Sequence, residues 1–130
     1  MTQGSESRYD TWSFLFRKKV KKLSALALVV GSVIWRPKPN QTLVLLHAFY
    51  RKRTITGTVT DDPAFKLTNG TTDIVAVVDL VNTNDYQRLA VAGHAVFDYN
   101  NPLTLVISDA PAGATVWDYD LVLVAAKLSD

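Results

Sequence analysis

Hydrophobic and polar residues alternate along several short segments of this chain. The alternation is clearest over residues 115–128, where Trp117, Tyr119, Leu121 and Leu123 occupy every second position. Successive side chains of a β-strand point to opposite faces, so residues two apart share a face. This segment is therefore predicted to be a strand with one apolar face in the core.

The same analysis predicts about eight short strands. They are residues 11–18, 25–35, 42–53, 54–60, 73–81, 86–99, 103–108 and 115–128. Segments 36–41, 61–72 and 109–114 are predicted connections, because they are rich in Pro, Gly, Asn and Asp and include an Asn-Gly turn signal. Short strands at such intervals are typical of an antiparallel sandwich. We predict one all-β sandwich domain over 1–130, jelly-roll or another Greek key, with 1–10 as a polar N-terminal arm.

The segment RKKVKKLSALALVVGSVIW, residues 17–35, is ambiguous. We predict two strands joined by the lysine-rich KKVKK, residues 18–22. A short N-terminal helix over 17–30 is the alternative, because apolar residues also recur there at spacings of three and four. The apolar run is about a dozen residues, whereas a membrane-spanning helix needs about 20, so no membrane span is predicted. The aromatic-rich YDTWSFLF before the basic block is atypical of a secretion signal.

The composition supports the all-β class. Of the 12 acidic residues in this 130-residue chain, only Glu6 is a glutamate, and the other 11 are aspartates. Aspartate favours turns and caps over helix interiors, so a helical protein is a poor fit. The sequence contains no cysteine, which excludes disulfides, thiolate metal ligands and a cysteine nucleophile.

Charge is unevenly distributed along the chain. Residues 1–53 have 11 basic and 2 acidic side chains (11 − 2 = +9), and residues 54–130 have 3 basic and 10 acidic ones (3 − 10 = −7). Folding could mix these charges over the surface, or leave one basic and one acidic face suited to an anionic partner or to a second copy. The predicted basic interface residues are Arg17, Lys18, Lys19, Lys21, Lys22, Arg36, Lys38, Arg51, Lys52 and Arg53. The predicted complementary acidic face, which is also a calcium-site candidate, consists of Asp98, Asp109, Asp118 and Asp120.

No motif for catalysis or for a cofactor accompanies these charges. His47 and His94 are both predicted in mid-strand and are interpreted as isolated side chains. We therefore expect no catalytic residues, no cofactor, no enzymatic activity and, apart from the weak calcium candidate, no metal site. Trp12, Phe14 and Phe16 alternate on one face of a predicted strand, which is an aromatic pattern that sugar-binding domains use. A carbohydrate- or ligand-binding module is accordingly the alternative function.

The leading hypothesis is a structural protein of a large particle, such as a virus or phage capsid, decoration or tail protein. It rests on the predicted β-sandwich, the separated charges and the analogy with viral β-sandwiches. The expected partners are copies of itself and other particle proteins, with non-specific contact to nucleic acid or another polyanion. The expected location is the virion, assembled in the host cytoplasm.

Overall fold

The computed structural model describes residues 16–26 and 31–129, and within these ranges the chain forms strands, turns and loops without a helix. There are nine strands in these ranges. They are β1 (Phe16–Ser24), β2 (Ser32–Trp35), β3 (Thr42–Asp61), β4 (Ala64–Thr68), β5 (Asp73–Asp79), β6 (Tyr86–Leu89), β7 (Val96–Asp98), β8 (Leu103–Asp109) and β9 (Ala112–Ser129).

The strands form two antiparallel sheets. One has the order β1-β9-β3-β6, with β7 also paired to β3, and the other has the order β2-β8-β4-β5. A single buried cluster draws side chains from both sheets, such as Leu121 from the first and Leu67 from the second. Trp35 of β2 also contacts Phe97 of β7, with ring centroids 5.4 Å apart. The predicted all-β class and antiparallel β-sandwich are confirmed.

The core of the five-stranded sheet follows the predicted face of β9. Trp117, Tyr119, Leu121 and Leu123 are all at most 2% exposed. The Trp117 Nε1–H donates a hydrogen bond of 2.9 Å to the hydroxyl of Tyr50 on β3. This bond satisfies a polar group that would otherwise be costly to bury. Hence the largest core side chain is held both by packing and by a specific hydrogen bond.

β3 and β9 form the long central pair of the fold. β3 has 20 residues and β9 has 18, and they stay paired from Thr42 with Ser129 to Asp61 with Ala112. The predicted division of β3 into strands 42–53 and 54–60 is wrong, because the strand continues through the basic residues 51–53, with an irregularity in register at Arg53. The pair has several irregularities in register, and Gly57 and Gly113 adopt φ values of 99° and 85° at one of them. Such positive φ values favour glycine.

The prediction that residues 18–22 form a connection is wrong. They lie within β1, where exposed and half-buried residues alternate. This excludes the alternative helix for residues 17–24, while residues 27–30 lie outside the described residues. Lysine disfavours strands only weakly, and pairing with β9 along the whole of β1 outweighs that preference.

Three further segments differ from the prediction. Of the predicted strand 25–35, residues 25–26 form a turn and only Ser32–Trp35 is a strand, β2, while residues 27–30 lie outside the described residues. The predicted connection 61–72 contains β4, whose Ala64, Phe65 and Leu67 are buried; the expected turn follows it, with Gly70 at φ 97°. The predicted strand 86–99 is instead two short strands, β6 and β7, separated by an irregular segment that carries an exposed His94. Hydrophobic spacing continued across that interruption, so the pattern alone did not reveal it.

Candidate functional site

The outward face of the five-stranded sheet is built in rows that cross its strands. The registers place Val20, Val122, Phe49 and Arg88 in one row. The adjacent row is Lys22, Asp120, Arg51 and Tyr86. A third row is Lys18, Val124 and His47, and beyond it Phe16 pairs with Ala126. We call these residues, together with Arg53 and Asp118, the outer sheet face. The alternate residues of β3 and β9 contribute to the core.

Asp120 lies at the centre of the outer sheet face and is the one buried charged residue among those that the structure describes, with its side chain 6% exposed. Arg51 Nη2 donates a 2.7 Å hydrogen bond to Oδ2. Arg53 Nε lies 2.8 Å from Oδ1. This contact is an ion pair, but its geometry is not that of a hydrogen bond. The hydrogen bond from Arg51, supported by the charge of Arg53, holds the pKa of Asp120 below its usual value against the opposing effect of burial. Asp120 therefore stays charged and fixes both arginines on this face.

Aromatic rings occupy the β3–β6 side of the outer sheet face. Phe49 stacks on Tyr86 at a centroid distance of 5.4 Å and on His47 at 6.0 Å. Arg88 Nη2 lies 3.4 Å from Nδ1 of His47. Tyr86 is 57% exposed, and on the β1 side Val20 is 44% exposed. The sheet therefore presents large apolar groups to its surroundings, flanked by basic side chains.

The outer sheet face carries a net positive charge. Its basic members are Lys18, Lys22, Arg51, Arg53 and Arg88, and its acidic members are Asp118 and Asp120. The formal balance is 5 − 2 = +3. Part of the predicted basic interface is therefore collected on one surface by the pairing of β1 with β9 and of β9 with β3.

Three basic residues of β1 lie on the opposite side of the strand. Arg17, Lys19 and Lys21 pair with residues of β9 that face the core, so they project at the open edge between the two sheets. Lys19 Nζ lies 6.0 Å from the centroid of the Trp35 ring in the facing sheet. Charged side chains that point inward at a sheet edge discourage pairing with another edge.

The other predicted basic residues are dispersed. Arg36 stacks over the ring of Tyr99 at 5.0 Å and donates a hydrogen bond to the Tyr99 carbonyl oxygen. Lys38 is exposed in the loop before β3. Lys52 forms an ion pair of 2.9 Å with Asp85, whose side chain is 88% exposed. The structure does not bring these three basic residues onto the outer sheet face.

The four predicted acidic residues do not form one surface. Asp98 pairs with the first residue of β3, and its Oδ1 accepts a hydrogen bond from the backbone N–H of Asn101 in the following turn. Asp109 pairs with Ala64, beyond the other end of β3. Asp118 and Asp120 lie among the arginines of the outer sheet face. Antiparallel pairing therefore separates residues that are close in the sequence.

Asp109 instead meets aspartates that the sequence analysis did not select. Asp61, Asp62, Asp79 and Asp109 line an open cavity of about 430 Å³ with Asn82, which we call the aspartate-rich end. The neighbouring Asp109 carboxylate raises the pKa of Asp61 above its usual value. Only the Asp-Asp pair at 61–62 signalled this cluster in the sequence. Its other two members come from the ends of β5 and β8.

Some predicted features fall elsewhere or outside the described chain. Trp12 and Phe14 lie outside the described residues, and Phe16 is 38% exposed at the start of β1. Within residues 16–26 and 31–129, no three His, Asp or Glu side chains are arranged to hold a metal ion. The same residues include no helix long and apolar enough to cross a membrane.

No protein-family model and no curated protein matches the sequence. Among solved structures, the chain is similar to a chain of the cyanophage Pam1 capsid asymmetric unit, with a TM-score of 0.60 and 6% sequence identity. The match covers 85% of this chain and 84% of that chain. The two chains therefore share a fold over most of their lengths.

Proposed function

We propose that this protein is a non-enzymatic structural component of a virion, as a capsid, decoration or tail protein. The single observation that carries the proposal is the fold shared with a chain of a phage capsid over 85% of the present chain. A shared fold is an analogy, so the surface must independently suit the role. On this proposal, the protein associates with copies of itself and with other particle proteins, and it is located in the virion after assembly in the host cytoplasm.

The outer sheet face has the chemistry of a protein interface. Contact surfaces are enriched in aromatic residues and arginine, and the residues that dominate binding are often Tyr, Trp or Arg. Here Tyr86 is 57% exposed, in register with Arg51 and stacked on Phe49. Half-exposed apolar side chains continue this surface to Val20 on β1. Such a face is costly to leave in water and supports association.

The experiment that tests the proposal is the mass of the purified protein by light scattering. It is measured at about 50 mM and about 500 mM NaCl, since added salt screens charges over progressively shorter distances. We expect a defined oligomer or a larger particle at low salt that dissociates at high salt. Electron microscopy of the low-salt sample then shows whether the assembly is a ring, a shell or a tube. A monomer at both salt concentrations, across the accessible protein concentrations, contradicts self-association.

A further inference from the structure

We propose that the outer sheet face docks the aspartate-rich end of a second copy of this chain, so that copies join head to tail. This inference rests on the proposed function and specifies the contact that builds the particle. The occupant follows from charge complementarity: a face of +3 on one copy meets the four carboxylates of the next.

The two surfaces belong to one chain but do not neutralise each other within it. Arg51 and Asp61 lie on the same strand, ten residues apart, which is roughly 30 Å along a strand. The aspartate-rich end also crowds its own carboxylates, as the raised pKa of Asp61 shows. A cation from outside relieves that crowding. The complementary charges are therefore available to a neighbouring copy.

In head-to-tail joining, the two patches of one copy meet two different neighbours, so the contact is heterologous. Heterologous contacts repeat from copy to copy and give closed rings, or open filaments when the rotation does not close. An isologous dimer formed through the outer sheet face alone would press two positively charged faces together. The outer sheet face therefore favours a ring or a larger shell over a simple twofold dimer.

A protein partner fits this face better than a single-stranded nucleic acid. Nucleic acids bind such sheets by stacking bases on open aromatic faces beside basic groups. The Phe49 ring already stacks with the rings of Tyr86 and His47 on the protein itself. The valines at the centre of the face offer no stacking surface, but they suit apolar packing. Nucleic-acid binding is therefore the competing outcome of the test.

The size of the face sets the strength of one contact. Four strands about 4.8 Å apart and three two-residue steps of about 6.7 Å give a patch of roughly 300 Å² in projection. A typical stable interface buries about 800 Å² per partner, so a single contact is expected to be weak. Assays should therefore reach about 100 μM protein, the regime of weak transient contacts.

Two variants each block one side of the contact. In Lys18→Glu/Lys22→Glu, two exposed lysines on the outer sheet face are reversed in charge. In Asp79→Asn/Asp109→Asn, half of the carboxylates at the aspartate-rich end are neutralised. Each variant alone is expected to self-associate at least about tenfold more weakly than the wild type. The matched control is Arg36→Glu/Lys38→Glu, which reverses two exposed charges away from this face and is expected to associate as the wild type does.

Mixing the two blocked variants decides the geometry. Each retains the surface that the other lacks, so an equimolar mixture is expected to form a one-to-one dimer and nothing larger by sedimentation velocity. The head-to-tail contact is overturned if the mixture forms no dimer and the Asp79→Asn/Asp109→Asn variant assembles like the wild type. That result leaves self-association intact. A wild type that stays monomeric yet binds fluorescent oligo(dT), with loss of binding in Lys18→Glu/Lys22→Glu, overturns both this inference and self-association. Unchanged far-UV circular dichroism establishes that each variant is folded.

Discussion

The substitution Asp120→Asn tests whether the buried carboxylate of the outer sheet face stabilises the fold. Asparagine has nearly the same shape but removes the charge between Arg51 and Arg53. Asp120 is buried, whereas the two arginine side chains are 55% and 36% exposed. After substitution, the arginines can therefore turn towards water, so the cost is smaller than for a pair buried on both sides.

The expected loss follows from the bonds that change. A hydrogen bond to a charged group contributes about 1.5–3 kcal/mol to stability. Asparagine can still accept one bond from Arg51, so we expect Asp120→Asn to lower the free energy of unfolding by about 1.5–2.5 kcal/mol, the lower part of that range. For a chain of this length, this corresponds to a fall in Tm of roughly 5–10 °C. Urea unfolding followed by tryptophan fluorescence measures the change.

The effect must also depend on pH in a defined direction. The pKa of Asp120 is lowered in the folded state from its ordinary value of 3.8. The stabilisation is therefore fully present above about pH 4 and is lost as the pH falls through the folded-state pKa. Wild type and variant should differ equally at pH 7 and pH 5, and should converge as the solution is acidified further.

Asp85→Asn is the matched control, because it breaks an ion pair of similar length on an exposed side chain. Lys52 Nζ lies 2.9 Å from Asp85, which is 88% exposed. Exposed pairs contribute about 0.2–1 kcal/mol, so the control should lower stability by less than the roughly 1.5–2.5 kcal/mol expected for Asp120→Asn. The reasoning would be refuted if the two variants lost equal stability. It would also be refuted if the stability difference between the wild type and Asp120→Asn persisted unchanged to pH 2.

Three further predictions concern the scaffold, each measured by thermal or urea unfolding. Gly113→Ala should destabilise by more than about 2 kcal/mol, because φ is +85° and the new Cβ would meet a backbone oxygen at 1.9 Å; Gly93→Ala, with open space around it, should be near neutral. Tyr50→Phe should cost about 1–3 kcal/mol by leaving the buried Trp117 N–H without its acceptor, and a neutral result would contradict that hydrogen bond. Asn69→Ala should cost about 1–2 kcal/mol, because it removes three side-chain hydrogen bonds within the turn and one to the carbonyl oxygen of Val96 in β7; an unchanged midpoint would show that Gly70 alone sets the turn.

How much of this structure could be predicted varies between elements for a physical reason. The apolar face of β9 was readable because alternation is a local property and every residue of that face is buried. β1 could not be recognised in this way, because its residues are largely basic. It forms a strand because it pairs with β9, about 100 residues away in the sequence. β4 was hidden in a segment rich in turn residues, although Phe65 and Leu67 lie in the core.

The candidate site shows the same division more sharply. The sequence alone determined that the chain is all-β, that its charges are separated along its length, and that 51–53 is a basic cluster. Only the tertiary structure decided that Arg51 meets Asp120 on one face and that Asp109 joins Asp61 at one end of the sandwich. Strand register sets both arrangements, and register arises from contacts between distant segments, which no local pattern encodes. The surface proposed for assembly is thus a product of strand pairing.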